Sequence, residues 1–205
     1  MTDRSDSFDR ADSPSAIGSP SDGGGAYTVY TTATSFGIET NRAKATTGAI
    51  DIAALDASVS EGVAKVTAAV RGGNFRIVGR LSDNNNYIVG VIYNSGANGI
   101  MYKDVAGTFT QIGSTATGLS VTDGDSISLD IDASDNILFK VYTTTIISTT
   151  STAGGTNTLW GFGTSGDTTT RFDDFSFTGA GGGGPALSLF RAVFSESLTP
   201  GMIVA

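Results

Sequence analysis

The stretch Ser126-Ile127-Ser128-Leu129-Asp130-Ile131, followed by Asp132-Ala133-Ser134-Asp135-Asn136, decides the fold class. Successive side chains of an extended chain point to opposite faces, so Ile127, Leu129 and Ile131 share one face and Ser126, Ser128 and Asp130 the other. That two-residue period predicts a half-buried β-strand. The Asp- and Asn-rich pentapeptide behind it predicts a turn, because short polar side chains bond the neighbouring backbone.

The same unit recurs in both directions along the chain. Candidate strands run over 26–32, 35–39, 50–55, 62–71, 74–81, 87–93, 99–104 and 109–113, then over 126–131, 137–142, 145–149, 159–162 and 171–177. Between them lie clusters such as Ser82-Asp83-Asn84-Asn85-Asn86, Asn94-Ser95-Gly96-Ala97-Asn98 and Asp123-Gly124-Asp125. Turns at intervals of about ten residues predict an all-β sandwich or barrel. Residues 53–57 could form a single helical turn, but Gly, Thr and Ser crowd both sides. Phe172 and Phe175 are out of phase for one face of a strand, which predicts a bulge near Asp173-Asp174.

Composition supports the same class. Of 205 residues, 39% are hydrophobic and only 16% charged. Ser, Thr, Asn and Gly therefore cover the surface, as in Thr143-Thr144-Thr145, and Thr fits the exposed face of a pleated sheet. The net charge is −8, with twelve basic residues scattered singly. Phosphate backbones and anionic membrane surfaces are bound by clustered Lys and Arg, so neither nucleic acid nor membrane is expected as a partner. With no Cys, disulfides and thiolate metal sites are excluded, and with no His the commonest general base is missing.

The ends differ from the middle. Residues 1–25 are polar, broken by Pro14, Pro20 and Gly23-Gly24-Gly25, and read as an arm with a first strand, plugged into the core by Phe8. No apolar run marks a signal peptide there. The sandwich itself is placed at 26–178, and a Gly-rich linker at 179–185. The tail 186–205 is apolar at Leu187, Leu189, Phe190, Val193 and Phe194. Such a tail is not expected to stay free in water. Folding back on the sandwich and anchoring in a neighbouring subunit are both open, as are helix and strand.

Asp6-Ser7-Phe8-Asp9-Arg10-Ala11-Asp12-Ser13 resembles the first strand of concanavalin A-like (laminin-G-like) jelly-roll domains common in bacteriophage structural proteins. Ser35-Phe36-Gly37-Ile38-Glu39-Thr40-Asn41-Arg42-Ala43 is similar to their next element, with Phe36 where members often carry Trp. Gly79-Arg80-Leu81 through Asp83 and Asn84 to Tyr87 resembles the central strands. Thr122-Asp123-Gly124-Asp125-Ser126 resembles a later turn and strand. Gly161-Phe162-Gly163 with Arg171-Phe172-Asp173-Asp174-Phe175 resembles the closing motif. The resemblance spans about residues 6–178, in keeping with one domain. It implies an antiparallel two-sheet jelly-roll sandwich with first and last strands as neighbours, Phe8 and Phe175 packing where they meet.

The resemblance also frames the chemistry. Glycanases of this fold use paired carboxylates on one strand, whereas Glu39, Glu61 and Glu196 are far apart in sequence. Asp130 and Asp132 share a face, but Asp132 opens a turn. Gly161-x-Gly163-x-x-Gly166 matches a phosphate-binding pattern only formally, with no helix behind it. No catalytic residue is assigned. Relatives often bind calcium near the first and last strands, so Asp9 or Asp12 with Asp173 or Asp174 are candidate ligands of a structural calcium ion; no other cofactor is expected. For a glycan, Tyr93 and Tyr102 lie near the Asn-rich loops, while Trp160 between Leu159 and Phe162 is expected in the core.

Together these readings point to a non-enzymatic bacteriophage virion protein, a capsid decoration or a head or tail fibre component, assembled in the host cytoplasm. Its termini would attach it to other virion proteins or to copies of itself. The alternative is a carbohydrate-binding module or adhesin recognising a surface glycan.

Overall fold

The computed structural model describes residues 3–31, 36–46, 50–165 and 167–180. Its strands are β1 (Arg4–Asp6), β2 (Thr28–Thr31), β3 (Phe36–Ile38), β4 (Ala43–Ala45), β5 (Ile50–Asp56), β6 (Gly62–Val70), β7 (Asn74–Asp83) and β8 (Asn86–Ile92). They continue with β9 (Asn98–Val105), β10 (Thr108–Gln111), β11 (Ala116–Thr117), β12 (Ser126–Ile131), β13 (Asn136–Val141), β14 (Thr144–Thr150), β15 (Leu159–Ser165) and β16 (Arg171–Gly179).

Two antiparallel sheets result. The first runs β14-β13-β12-β6-β16-β4-β3, and the second β10-β9-β8-β7-β15-β5-β2, with β11 beside β9. Strand β1 pairs with β16, Arg4 opposite Phe177 and Asp6 opposite Phe175, so first and last strands are neighbours as expected. The expected sandwich is therefore present. Two short strands escaped the sequence reading, β4 and β11, because three and two residues are too few to show a period. Residues 53–56 lie in β5 and make no helical turn. Leu187, Leu189, Phe190, Val193 and Phe194, with most of the linker, lie outside the described residues.

The core lies between the sheets and is built round Phe162. Its ring centroid is 5.5 Å from Phe8, 5.7 Å from Phe36, 4.8 Å from Phe172 and 5.3 Å from Phe175. Each buried phenyl ring contributes about 1.5–3 kcal/mol by leaving water. The expected bulge explains how β16 supplies three of them. Its pairing with β6 slips between Asp173 and Ser176, and Asp174 takes φ 49°. That slip returns Phe175 and Phe177 to the face of Phe172, and all three are buried. Trp160 is likewise in the core, its ring tilted 39° to Phe177 at 4.8 Å and its indole N–H bonded to the Val59 carbonyl at 2.9 Å.

Candidate functional site

The second sheet is apolar on both faces. Its inner face feeds the core, and Ile52, Ala54, Val78, Leu81, Tyr87, Val89, Val91 and Ile100 form a separate cluster on its outer face. Tyr30, Tyr93, Tyr102 and Leu159 pack around that cluster, partly exposed. Strand register sets the order across the face. One row reads Tyr30, Ile52, Gly163, Arg76, Val91, Ile100. Further along the strands, Tyr87, Asp104 and Phe109 stand side by side.

Gly161 and Gly163 make this packing possible. A Cβ on Gly161 would come within 2.0 Å of the Ala53 carbonyl oxygen, and one on Gly163 within 2.2 Å of that of Asp51. They are strand residues pressed against β5, so the phosphate-loop pattern is a packing requirement.

Two pockets open on the face and share Ile50 and Phe109. The larger, about 320 Å³, is lined by Ile50, Asn74, Arg76, Val91, Tyr93, Tyr102 and Phe109. The smaller, about 190 Å³, reaches from Tyr30 to Tyr87 and Asp104 beneath Asn84, Asn85 and Gly107. Its wall is two hairpin turns tied together. Gly107 donates its amide to the Asn85 carbonyl and Ala106 to Asn86 Oδ1, both at 3.1 Å. Ala106 and Gly107 both have positive φ, 52° and 80°, as a two-residue hairpin loop demands.

Each pocket ends on a buried charge. Arg76 is 8% exposed; its Nη2 donates to Ser165 Oγ at 2.9 Å, while Nε and Nη1 have no hydrogen-bond partner. Burial lowers its pKa, and the groups facing it are the hydroxyls of Tyr87, Tyr93 and Tyr102. Asp104 is 1% exposed with Oδ1 unpartnered, and burial raises its pKa. Tyr87 is pushed up to about 12, chiefly by burial, against the pull of Arg76. Between the pockets stands Phe109, 45% exposed and edge-on to Tyr87 and Tyr102 at 5.9 Å each. Tyr93 and Tyr102 touch hydroxyl to hydroxyl at 3.3 Å.

The residues singled out from sequence distribute unevenly. Tyr93 and Tyr102 do line this face. Asp9 and Asp12 are exposed, and Asp12 accepts the Thr40 amide at 2.7 Å. Asp173 feels the charges of Asp174 and Asp9, which add to burial in raising its pKa. Among the described residues no three acidic groups gather as a metal site would require. Asp132 is a turn residue, accepting the Ser134 and Asn136 amides at 2.8 and 3.0 Å. Glu39 belongs to the first sheet's edge, where Lys44, at 2.8 Å, and Arg171 hold its pKa down. It lines a separate hollow of about 420 Å³ with Asp12, Ser13 and Thr168. Sequence reasoning missed Phe109, Arg76 and Asp104 as site residues. The available signal was phase, since Arg76 and Asp104 alternate with the core residues Phe75, Ile77 and Met101.

No family model matches the chain, and no curated protein matches it in sequence. Solved structures match it in fold. A carbohydrate-binding module from Bacillus subtilis superposes with a TM-score of 0.54 at 12% identity, over 74% of this chain and 92% of that one. The carbohydrate recognition domain of Emp46p gives 0.47 at 11% identity, over 74% and 87%. A β-porphyranase from Bacteroides plebeius gives 0.42 at 9%, over 85% and 89%. Likeness at such identity establishes the lectin-like jelly-roll sandwich and stops there. None of the three is described as a virion protein, so the bacteriophage part of the expectation draws no support from them.

Proposed function

We propose that this chain is a non-catalytic carbohydrate-binding domain whose ligand lies on the outer face of the second sheet. One arrangement carries the reading: Phe109 stands exposed between two pockets that each end on a buried, incompletely bonded charge. A sugar ring offers an apolar C–H face and a rim of hydroxyls. An exposed phenyl ring suits the first, and fixed donors and acceptors suit the second. The larger pocket falls at the lower end of the range of about 300–1,000 Å³ for small-molecule sites. The match in fold to a module named for carbohydrate binding supports the same reading.

Hydrolysis needs two carboxylates across the scissile bond. Asp104 is the one carboxylate among the residues lining the two pockets. The experiment is a glycan array probed with the intact chain and with Phe109→Ala. Retention of a defined glycan that the variant loses supports the reading. Retention unchanged in the variant moves the site elsewhere, and no retention at all refutes carbohydrate binding.

A further inference from the structure

The larger pocket is rich in donors and poor in acceptors. Arg76 brings Nε and Nη1, both buried and unbonded. Ser165 Oγ already accepts from Arg76 Nη2 and from Asn74 Nδ2, the latter at 3.2 Å, which leaves its own proton to donate. Asn74 Oδ1 is occupied by the Asn94 amide at 3.2 Å. The Tyr93–Tyr102 hydroxyl pair spends one proton internally and keeps the other. No carboxylate lines this pocket, and none of the ion pairs among the described residues includes Arg76.

A buried guanidinium faced by tyrosine hydroxyls and by no carboxylate is costly to keep. It stays protonated at neutral pH even when burial lowers its pKa, and its fork of donors fits an oxyanion two bonds at a time. A neutral sugar hydroxyl could accept one bond but would leave the charge uncompensated. The chain's overall negative charge acts at long range, where salt screens it beyond about 8 Å.

Resting on the carbohydrate reading above, we infer that the ligand is an acidic glycan, which seats a carboxylate or sulfate group on Arg76. Phe109 then lies against a sugar ring, Ser165 holds the guanidinium from behind, and the tyrosine hydroxyls close round the remaining oxyanion oxygens.

The test is calorimetric titration of the full chain with an oligogalacturonide, a sulfated galactan oligosaccharide and a neutral galactan oligosaccharide. The acidic ligands are expected to bind and the neutral one to bind far more weakly. Preference between the two acidic arms tells carboxylate from sulfate. Arg76→Met should weaken acidic binding on the order of a hundred-fold, as loss of paired charge-assisted bonds implies, with Arg76→Lys recovering part. Should Arg76→Met fail to fold, competition on the unaltered chain decides. Free galacturonate or sulfate should then displace the oligosaccharide at concentrations where galactose does not, and equal displacement overturns the inference. If the neutral oligosaccharide binds as tightly and Arg76→Met changes nothing, the acidic preference falls while carbohydrate binding stands. If none of the three binds, both fall.

Discussion

Arg10 grips Asp6 through two parallel hydrogen bonds, Nη1 to Oδ1 at 3.0 Å and Nη2 to Oδ2 at 2.6 Å, with the carboxylate withdrawn from solvent. Asp6 Oδ1 also accepts the Phe8 amide at 2.9 Å, and Arg10 Nε donates to the Ile17 carbonyl at 3.0 Å. The guanidinium lies 5.5 Å from the centre of the Phe8 ring. The Asp-x-Phe-x-Arg run is thus a clamp that seats Phe8 in the core at its unusual φ of 56°. Arg10→Met leaves Asp6 buried and unpaired, and should cost about 3 kcal/mol of stability. Urea denaturation measures the loss, and glycan affinity of the folded fraction should stay unchanged.

Gly163→Ala places a methyl group against the Asp51 carbonyl oxygen, a backbone atom that cannot swing aside. A loss of about 3 kcal/mol or more is expected, read as a lowered melting temperature or failure to fold. Gly118→Ala is the control. It meets open space and carries only the strain of φ 71°, so its cost should be about 1 kcal/mol.

Asp104 holds its proton more tightly folded than unfolded, because burial raises its pKa above the ordinary 3.8. Its contribution to stability is therefore present at low pH and is lost as pH rises through the folded pKa. Asp104→Asn should stabilise the fold by about 1 kcal/mol at neutral pH, with the gain vanishing below the ordinary carboxylate range. Denaturation midpoints across pH 3–8 test this. Glycan affinity should fall in the same variant, since the amide replaces an anionic acceptor.

Phe109→Ala should separate binding from folding. The ring is exposed and touches its neighbours edge-on, so stability should change by less than about 1 kcal/mol. Glycan affinity should fall about ten-fold or more, as loss of an aromatic anchor implies.

The fold was legible because its signals are local. Ile127, Leu129 and Ile131 alternate visibly, and the lost phase between Phe172 and Phe175 located the bulge at Asp174. Trp160 could be assigned to the core from its apolar neighbours alone. The outer face of the second sheet was legible only at its rim, in Tyr93 and Tyr102. Arg76 and Asp104 read as ordinary outward charges of their strands, since what buries them is set by turns and neighbouring strands outside their own strands' period. The paired turns at Asn85 and Gly107 wall in Asp104, and packing on the second sheet shields Arg76. A strand's own period tells which way a side chain points and nothing about what stands over it.

The pairing of β1 with β16 brings Asp3 and Gly179 within one hydrogen bond, Gly179 donating its amide to Asp3 Oδ1 at 3.3 Å. A polypeptide can therefore enter and leave the sandwich through the same doorway. The whole fold could be spliced into a surface loop of a host protein without stretching either connection. That doorway opens along the first sheet, whereas Arg76, Asp104 and Phe109 belong to the second. A graft made there would join the host beside the first sheet and leave the outer face of the second sheet uninterrupted.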